Sequence, residues 1–320
     1  MKQHTTMPDK LLIALGGNAI HPEGIKGTGQ EQFDVAAAAA TALLPLLERV
    51  PNLVLTFGNG PGVGKVLMRQ AIASKRVASM PLDICVANSQ GGISYVIMQA
   101  LQNVMRARGL QRPVASIICE VLVDPADSAF GRPDKPLGYF FSEAEARELE
   151  KEFGWTMKED AGRGWRMVVP SPAPLKILDS ALLGSLMQQG VVVLTAGGGG
   201  IPVTTETGDQ LRGIEAVIDK DLTSALLARE LGIEQLLILT SVRHVKINYG
   251  SDNEQDLSQL TLSELDRYIG EGHFSAGSMG PKVEAARRFL VGGGKRAIIA
   301  HLDEAYQACL GSAGTQISNG

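Results

Sequence analysis

The sequence predicts an α/β fold on a mainly parallel open sheet, with a small inserted subdomain, and three observations carry that expectation. Short apolar runs alternate with longer helical patterns, as in parallel strands joined by crossover helices. Three of those runs end in glycine-rich turns. The stretch 124–174 then turns richer in proline, glycine and charge than its surroundings.

The elements follow in order. Residues 11–15 (LLIAL) read as a first buried strand ending at Gly16 and Gly17, and a helix follows over about 31–48. Residues 53–56 are the next strand, ending in Gly58-Asn59-Gly60-Pro61-Gly62. Helical patterns over 63–74 and 88–108 precede a strand over 114–121. The 124–174 segment holds one helical pattern between DPADSAFGRPDKPLGYFF and EDAGRGWRMVVPSP. It reads as an inserted subdomain with little core of its own, or as a long decorated surface loop. Alternation resumes with a strand over 191–194 that runs into Gly197-Gly198-Gly199-Gly200. A helix from about 219–221 to Glu230, a strand over 236–239, a helix over 278–290 and a late strand over 297–300 complete the pattern.

Bulk composition narrows the function. The 320 residues can bury a substantial core as one large unit or two lobes. A net charge of −4 argues against a general nucleic-acid binder. Cys85, Cys119 and Cys309 are scattered and show no paired spacing, which suits reduced thiols in a cytoplasmic protein and no structural metal site. The start, MKQHTTMPDK, has no apolar core for a signal peptide. The Ala-rich stretch 35–47 is too short to span a bilayer.

The glycines carry the chemistry. In an open α/β sheet, loops at the carboxyl ends of the strands gather where ligands bind. Glycine lets the backbone approach closely, and successive N–H groups beside helix starts cradle phosphate oxygens. There is no GxxxxGK[ST], and Gly58-Asn59-Gly60 does not continue as GxGxxG. The site is therefore neither a P-loop nor a dinucleotide fingerprint. Phosphoryl transfer between anions needs positive charge around the migrating group, and three lysines stand near these loops. Lys220 sits between Asp219 and Asp221 at a strand-to-helix boundary, a place that also fits a capped helix with a solvent-facing lysine. Lys282 lies in the first turn of its helix, where a cation is disfavoured unless an anion shares the site. Lys135, in Pro133-Asp134-Lys135-Pro136, reads by itself as an ordinary loop residue.

With those residues in view, the chain resembles the carbamate kinases of the amino-acid kinase family. The matching stretches are ALGGNA (14–19), GNGP (58–61), PLD (81–83), SQG (89–91), KEDAGRGWR (158–166) and VVPSP (168–172). GGGGIPV (197–203), EAVIDKDL (215–222), EGHFSAGSMGPKVEAA (271–286) and GGKRAII (293–299) continue the match, so it covers nearly the whole chain.

The resemblance implies a three-layer αβα sandwich with an eight-stranded, mainly parallel sheet, usually as a homodimer. It implies an N-terminal lobe (1–213) for carbamate or carbamoyl phosphate, with the protruding subdomain at about 124–174. A C-terminal lobe (214–320) would hold ATP or ADP with Mg2+, the metal carried by the nucleotide and not by protein side chains. By matching motif, Gly16, Gly17 and Asn18 would contact the phosphoryl group, and Gly58, Asn59 and Gly60 would line the carbamate side. Lys220 and Lys282 would stabilise the transferring group, Asp221 would orient them, and Lys135 would reach over from the subdomain. Gly198, Gly199, Asp219, Ser278, Met279 and Gly280 would lie along the nucleotide. The implied reaction is ATP + carbamate = ADP + carbamoyl phosphate, running toward ATP in a fermentative, arginine-metabolism or nitrogen-salvage setting. The chain departs from the family at Phe57, Gly62 and Ser241, where His, Gln and Asp are usual. Those departures leave open another small carboxylate as acceptor, or a non-catalytic sensor.

Overall fold

Period-two alternation along the central strands decides the layering. The computed structural model describes residues 7–17, 22, 24–160, 162–275 and 277–320. In β1 (Lys10–Leu15), Leu12 and Ala14 enter one apolar cluster while Leu11, Ile13 and Leu15 enter another. Side chains on a strand point alternately to opposite faces, so a sheet with both faces apolar must be covered twice.

The main elements run in order: β1, α1 (Gly29–Arg49), β2 (Asn52–Phe57), α2 (Gly60–Ala73), α3 (Leu82–Ala107), β3 (Val114–Ile117), α4 (Glu143–Phe153), α5 (Ser180–Gln188) and β4 (Val192–Thr195). Then come α6 (Lys220–Glu230), β5 (Gln235–Thr240), β6 (Gln259–Thr261), α7 (Leu262–Gly270), α8 (Met279–Val291), β7 (Arg296–His301), α9 (Ala305–Cys309) and β8 (Thr315–Ser318). These strands form one eight-stranded sheet in the order β6-β8-β7-β5-β1-β2-β4-β3, in which the β7–β8 pair is antiparallel and every other pair parallel. Leu236 and Ile238 of β5 join the first cluster with residues of α5, α6, α7 and α8; Leu237 and Leu239 join the second with α1, α3 and α9. The result is the expected αβα sandwich. Because β1 pairs with β5 on one side and β2 on the other, strands from before and after residue 213 share one continuous sheet.

The expectation of one strand over 114–121 is corrected. Val114–Ile117 pairs with β4, but Glu120–Val123 belongs to a separate four-stranded sheet with Leu211–Gly213, Ile201–Thr205 and Pro174–Ile177. The break falls at Cys119, whose N–H goes to the Gln90 side chain at 2.9 Å and whose carbonyl accepts from Ile201 at 2.9 Å. Those two bonds take the backbone out of the main ladder. The helix expected from 88 begins at Leu82, directly after Pro81 in extended conformation, a residue suited to a helix entrance.

Within 124–174, strands Lys135–Phe141, Trp165–Val169 and Met157–Glu159 form a three-stranded antiparallel sheet beside α4. This unit is not a surface loop. Its Leu137 and Val169 are buried in a third apolar cluster with Val63 and Leu67 of α2 and Val86 of α3. All three cysteines are free and buried; burial pushes the Cys119 and Cys309 thiols up to about 12. Among the described residues no helix is long and apolar enough to cross a membrane.

Arg112 staples the base of the sheet. Its guanidinium donates to the carbonyls of Gly190 at 2.9 Å, Leu47 at 3.0 Å and Val50 at 2.7 Å, and to that of Pro51. It thereby joins the end of α1 and the starts of β2 and β4, and partial burial holds its pKa below the ordinary value. Removing it takes one charged donor from four carbonyls at once. Arg112→Ala is expected to lower stability by about 2–3 kcal/mol, read as a reduced urea midpoint at unchanged m-value.

Candidate active site

β1, β2 and β4 are parallel neighbours, so the three glycine-rich turns that follow them open on one edge of the sheet. They also touch. A Cβ on Gly58 would lie 2.9 Å from the Gly17 nitrogen, and one on Gly198 would overlap the Asn59 side-chain amide. Gly198 and Gly199 have φ of +66° and +93°, a region that costs other residues strain. Asn59 is nearly fully buried and donates to Ser89 Oγ at 2.8 Å, which in turn donates to the Val86 carbonyl at 2.7 Å. Gly60 opens α2 directly after it. Gly16 donates its N–H to Leu239 at 2.9 Å, and a Cβ there would collide with that same carbonyl.

The start of α6 brings the charges to this edge. Asp219 caps the helix, accepting from the backbone of Asp221 at 2.9 Å and Leu222 at 3.3 Å. Its other oxygen receives Lys135 Nζ at 2.9 Å. Asp221 is 2% exposed and holds two lysines, Lys220 through Oδ1 and Lys282 through Oδ2 at 3.4 Å. Lys220 is itself 8% exposed, and its Cδ lies 3.6 Å from where a Cβ on Gly58 would sit. Lys135, Lys220, Lys282, Asp219, Asp221 and the turns at Gly17, Gly58 and Gly198 are therefore one constellation, drawn from segments scattered along the chain from residue 17 to residue 282.

The match to the amino acid kinase family model covers residues 9–301. The chain belongs to that family. A carbamate kinase from Pyrococcus horikoshii is 46% identical over 98% of this chain and 100% of its own length. A carbamate kinase-like protein from Escherichia coli is 44% identical over 97% and 99%. The structure of a Giardia lamblia carbamate kinase bound to AMP-PNP superposes with a TM-score of 0.89 at 41% identity, covering 99% of both chains. Amino-acid-kinase membership and the carbamate-kinase resemblance read from the motifs are both borne out.

The family's sandwich explains why the lysines can be held without collapse. Burial alone would push the Asp219 carboxyl up, but Lys135, Lys220 and Lys282 outweigh it and hold the group below the ordinary carboxylate range. Burial presses the Lys220 ammonium below the usual lysine value, with Asp221 opposing that shift. Three ammonium groups stand against two carboxylates, so the cluster keeps positive charge for an incoming anion. Lys220 is not the solvent-facing residue of a capped helix start, although Asp219 does cap it. Lys282 meets in Asp221 the anion that a cation in a first helical turn requires.

Ser278 precedes α8, and its carbonyl lies 3.5 Å from Lys282 Nζ. Gly280 bonds to Ser275 at 2.8 Å at the same helix start, while Met279 packs against the first apolar cluster. Of these three, Ser278 is tied to the constellation through Lys282. Asn18 lies outside the described residues.

Sequence reasoning missed the groups that position Lys220. Ser224 Oγ donates to the Lys220 carbonyl at 2.6 Å, and Thr56 Oγ1 stands 2.6 Å from Ser224 Oγ with its proton free to bond it. Thr223 Oγ1 donates to the Gly199 carbonyl at 2.9 Å, tying α6 to the third turn. Gln90 does the same from α3, donating to Gly197 at 3.2 Å. Thr56, a polar residue in a buried strand, was the available signal.

The depressed carboxyl of Asp219 has a pH consequence. A carboxylate with a lowered folded pKa contributes its stability above its unfolded value, near 3.9, and loses it as pH falls toward the folded value. Wild-type stability is expected to drop below about pH 4, and Asp219→Asn to show a shallower drop there from a lower plateau. Urea unfolding across pH 3–6 checks this.

Proposed function

We propose that this protein is a carbamate kinase, transferring a phosphoryl group reversibly between ATP and carbamate to give ADP and carbamoyl phosphate. The observation that carries the reading is the buried carboxylate of Asp221, shared by Lys220 and Lys282 beside three converging glycine turns. Identities near 45% to named carbamate kinases over nearly the whole chain support it.

The chemistry follows from charge. Both substrates are anions, and their repulsion must be relieved before the oxygens can meet in line. The turns at Gly16, Gly17, Gly58, Asn59 and Gly60 border the acceptor and the migrating group. The N–H groups of Gly16 and Gly58 are already bonded to the Leu239 and Leu15 carbonyls, so those of Gly17, Asn59 and Gly60 receive the anions. Lys220 and Lys282, held by Asp221, face the charge that spreads over the transferring phosphoryl. Lys135 closes over the site from the subdomain and gives up Asp219 as its partner for a phosphate oxygen. Gly198, Gly199 and Asp219, with Ser278, Met279 and Gly280, border the nucleotide. No general base is needed, because the carbamate oxygen is already anionic.

A metal ion belongs to this reading as part of the nucleotide. Among the described residues no three His, Cys, Asp or Glu side chains gather to hold one, and Asp219 and Asp221 are both engaged by lysines. That donor set fits a divalent ion, here Mg2+, bound mainly through substrate phosphates; when bound it offsets phosphate charge. The lobe division at 213/214 and the direction toward ATP, in arginine metabolism, are parts of the same proposal. So are a cytoplasmic setting, supported by three free thiols, and a homodimer, supported by Ile84 and Tyr95 standing exposed on α3.

Pure protein given MgADP and carbamoyl phosphate is expected to make ATP; no ATP would sink the reading, and turnover only with another small carboxylate would move it to a different acceptor. Lys220→Ala and Lys282→Ala should each lower kcat at least about tenfold with the fold intact. The sign of the Lys220 shift adds a second check. A lysine whose pKa is lowered loses its proton earlier as pH rises, so kcat/KM should fall on the alkaline side below the ordinary lysine value of about 10.4. Lys220→Arg should move that limb upward.

A further inference from the structure

Where the strand that carries Lys135 rests on α2, two backbones come into direct contact. Gly64 of α2 is buried, and a Cβ added there would lie 2.2 Å from Gly138 Cα and 2.5 Å from Gly138 N. Real β-carbons do not approach that closely, and the obstacle is backbone, which cannot rotate away as a side chain can. Gly138 has φ of +67° and sits where the pairing of Lys135–Phe141 with Trp165–Val169 shifts register, between Leu137 and Phe141. Its carbonyl accepts from Arg166 at 3.3 Å, and its neighbour Leu137 is buried against Val63 and Leu67. The strand is thus seated on α2 at residue 138 and reaches Asp219 from residue 135, about 10 Å further along. The same α2 begins at Gly60, in the second glycine turn.

We infer that Gly64 is a positioning residue for Lys135: the absence of a side chain at 64 sets how low the subdomain sits, and so whether the Lys135 ammonium reaches the transfer site. This rests on the role given to Lys135 above. The structure offers two alternatives for this glycine, packing alone or placement of the lysine, and they part on coupling. A methyl at 64 lifts the strand, and a shift of about 1 Å in a catalytic group can cost up to 10²-fold in rate. If the loss travels through Lys135, it vanishes once Lys135 is gone.

The test is a double-mutant cycle on the full chain, with ATP formation from carbamoyl phosphate and MgADP as the assay and thermal unfolding in parallel. Gly64→Ala is expected to lower kcat about tenfold or more. In the Lys135→Ala background the same change is expected to cost no more than about twofold. Wild-type kcat in Gly64→Ala overturns the inference, as does an equal loss with and without Lys135. Wild-type kcat in Lys135→Ala overturns both this inference and the role of Lys135, and so separates that failure from one of Gly64 alone. If Gly64→Ala does not fold, Gly138→Ala takes its place, since its methyl meets Gly64 Cα at 3.3 Å. Failure of both to fold makes the contact a packing requirement and overturns the inference.

Discussion

A carboxylate buried to 2% exposure cannot stand without cations, and the carboxylate of Asp221 has two. Removing either partner from a buried pair leaves the other charge uncompensated, at a cost of about 3–5 kcal/mol. The Lys282 pair thereby ties α8 to α6, and the two pairs together hold two ammonium groups side by side against mutual repulsion. What stabilises this arrangement is also what a phosphoryl group leaving one anion for another requires. An anion entering beside Lys220 and Lys282 meets charge already gathered, at no cost of reorganisation.

The constraint spreads outward through the first turn of α6. Lys220 cannot retreat, because its carbonyl is bonded by Ser224 and Ser224 faces Thr56 of β2. Neither can the helix slide, because Thr223 is tied to the third glycine turn and Asp219 caps the entrance. Asp219 then reaches in the opposite direction, to Lys135 on the subdomain. One helix start thus connects the sheet, the glycine turns and the protruding unit. The turns must be glycine where they meet it: Gly199 carries φ of +93°, and a Cβ there would strike the Ile218 carbonyl.

The parts legible in the sequence were those governed by local rules. The continuous apolar runs that marked β1, β2, β5 and β7 are what fills both faces of the sheet, and glycine at strand ends marked the site edge. Lys282 stood out because a cation at a helix start conflicts with the helix dipole, and Lys220 because it lies between two aspartates at a strand-to-helix boundary. Lys135 was not legible from local pattern, since its partner Asp219 lies 84 residues away; the family resemblance supplied it. The break at Cys119 was hidden for a similar reason. Residues 114–121 read as one largely apolar strand, and it is the distant partners of Cys119, the Gln90 side chain and the Ile201 N–H, that divert the backbone. Local pattern reports burial well and reports partners poorly.

That distinction bears on Phe57 and Gly62, where the chain departs from its family beside the acceptor turn. Phe57 is fully buried and belongs to the apolar cluster under α1 and α3. Its ring lies so close to Gly197 that a Cβ there would overlap Cζ. Gly62 faces α3, where a Cβ would come within 2.8 Å of Ile93 Cδ1. Both residues are thus occupied with packing, Phe57 against the third glycine turn and Gly62 against α3. A phenyl ring at 57 also offers no proton and no charge to the acceptor of the proposed reaction, and the Gly58 N–H is already bonded to the Leu15 carbonyl. Under that proposal, orientation of the anion would therefore fall to the N–H groups of Asn59 and Gly60. Backbone N–H groups bind a carboxylate by shape and dipole and need no particular side chain at 57. The departures therefore alter how the turn at 58–60 is supported from beneath, while the charges that the proposed transfer uses come from α6, α8 and the subdomain.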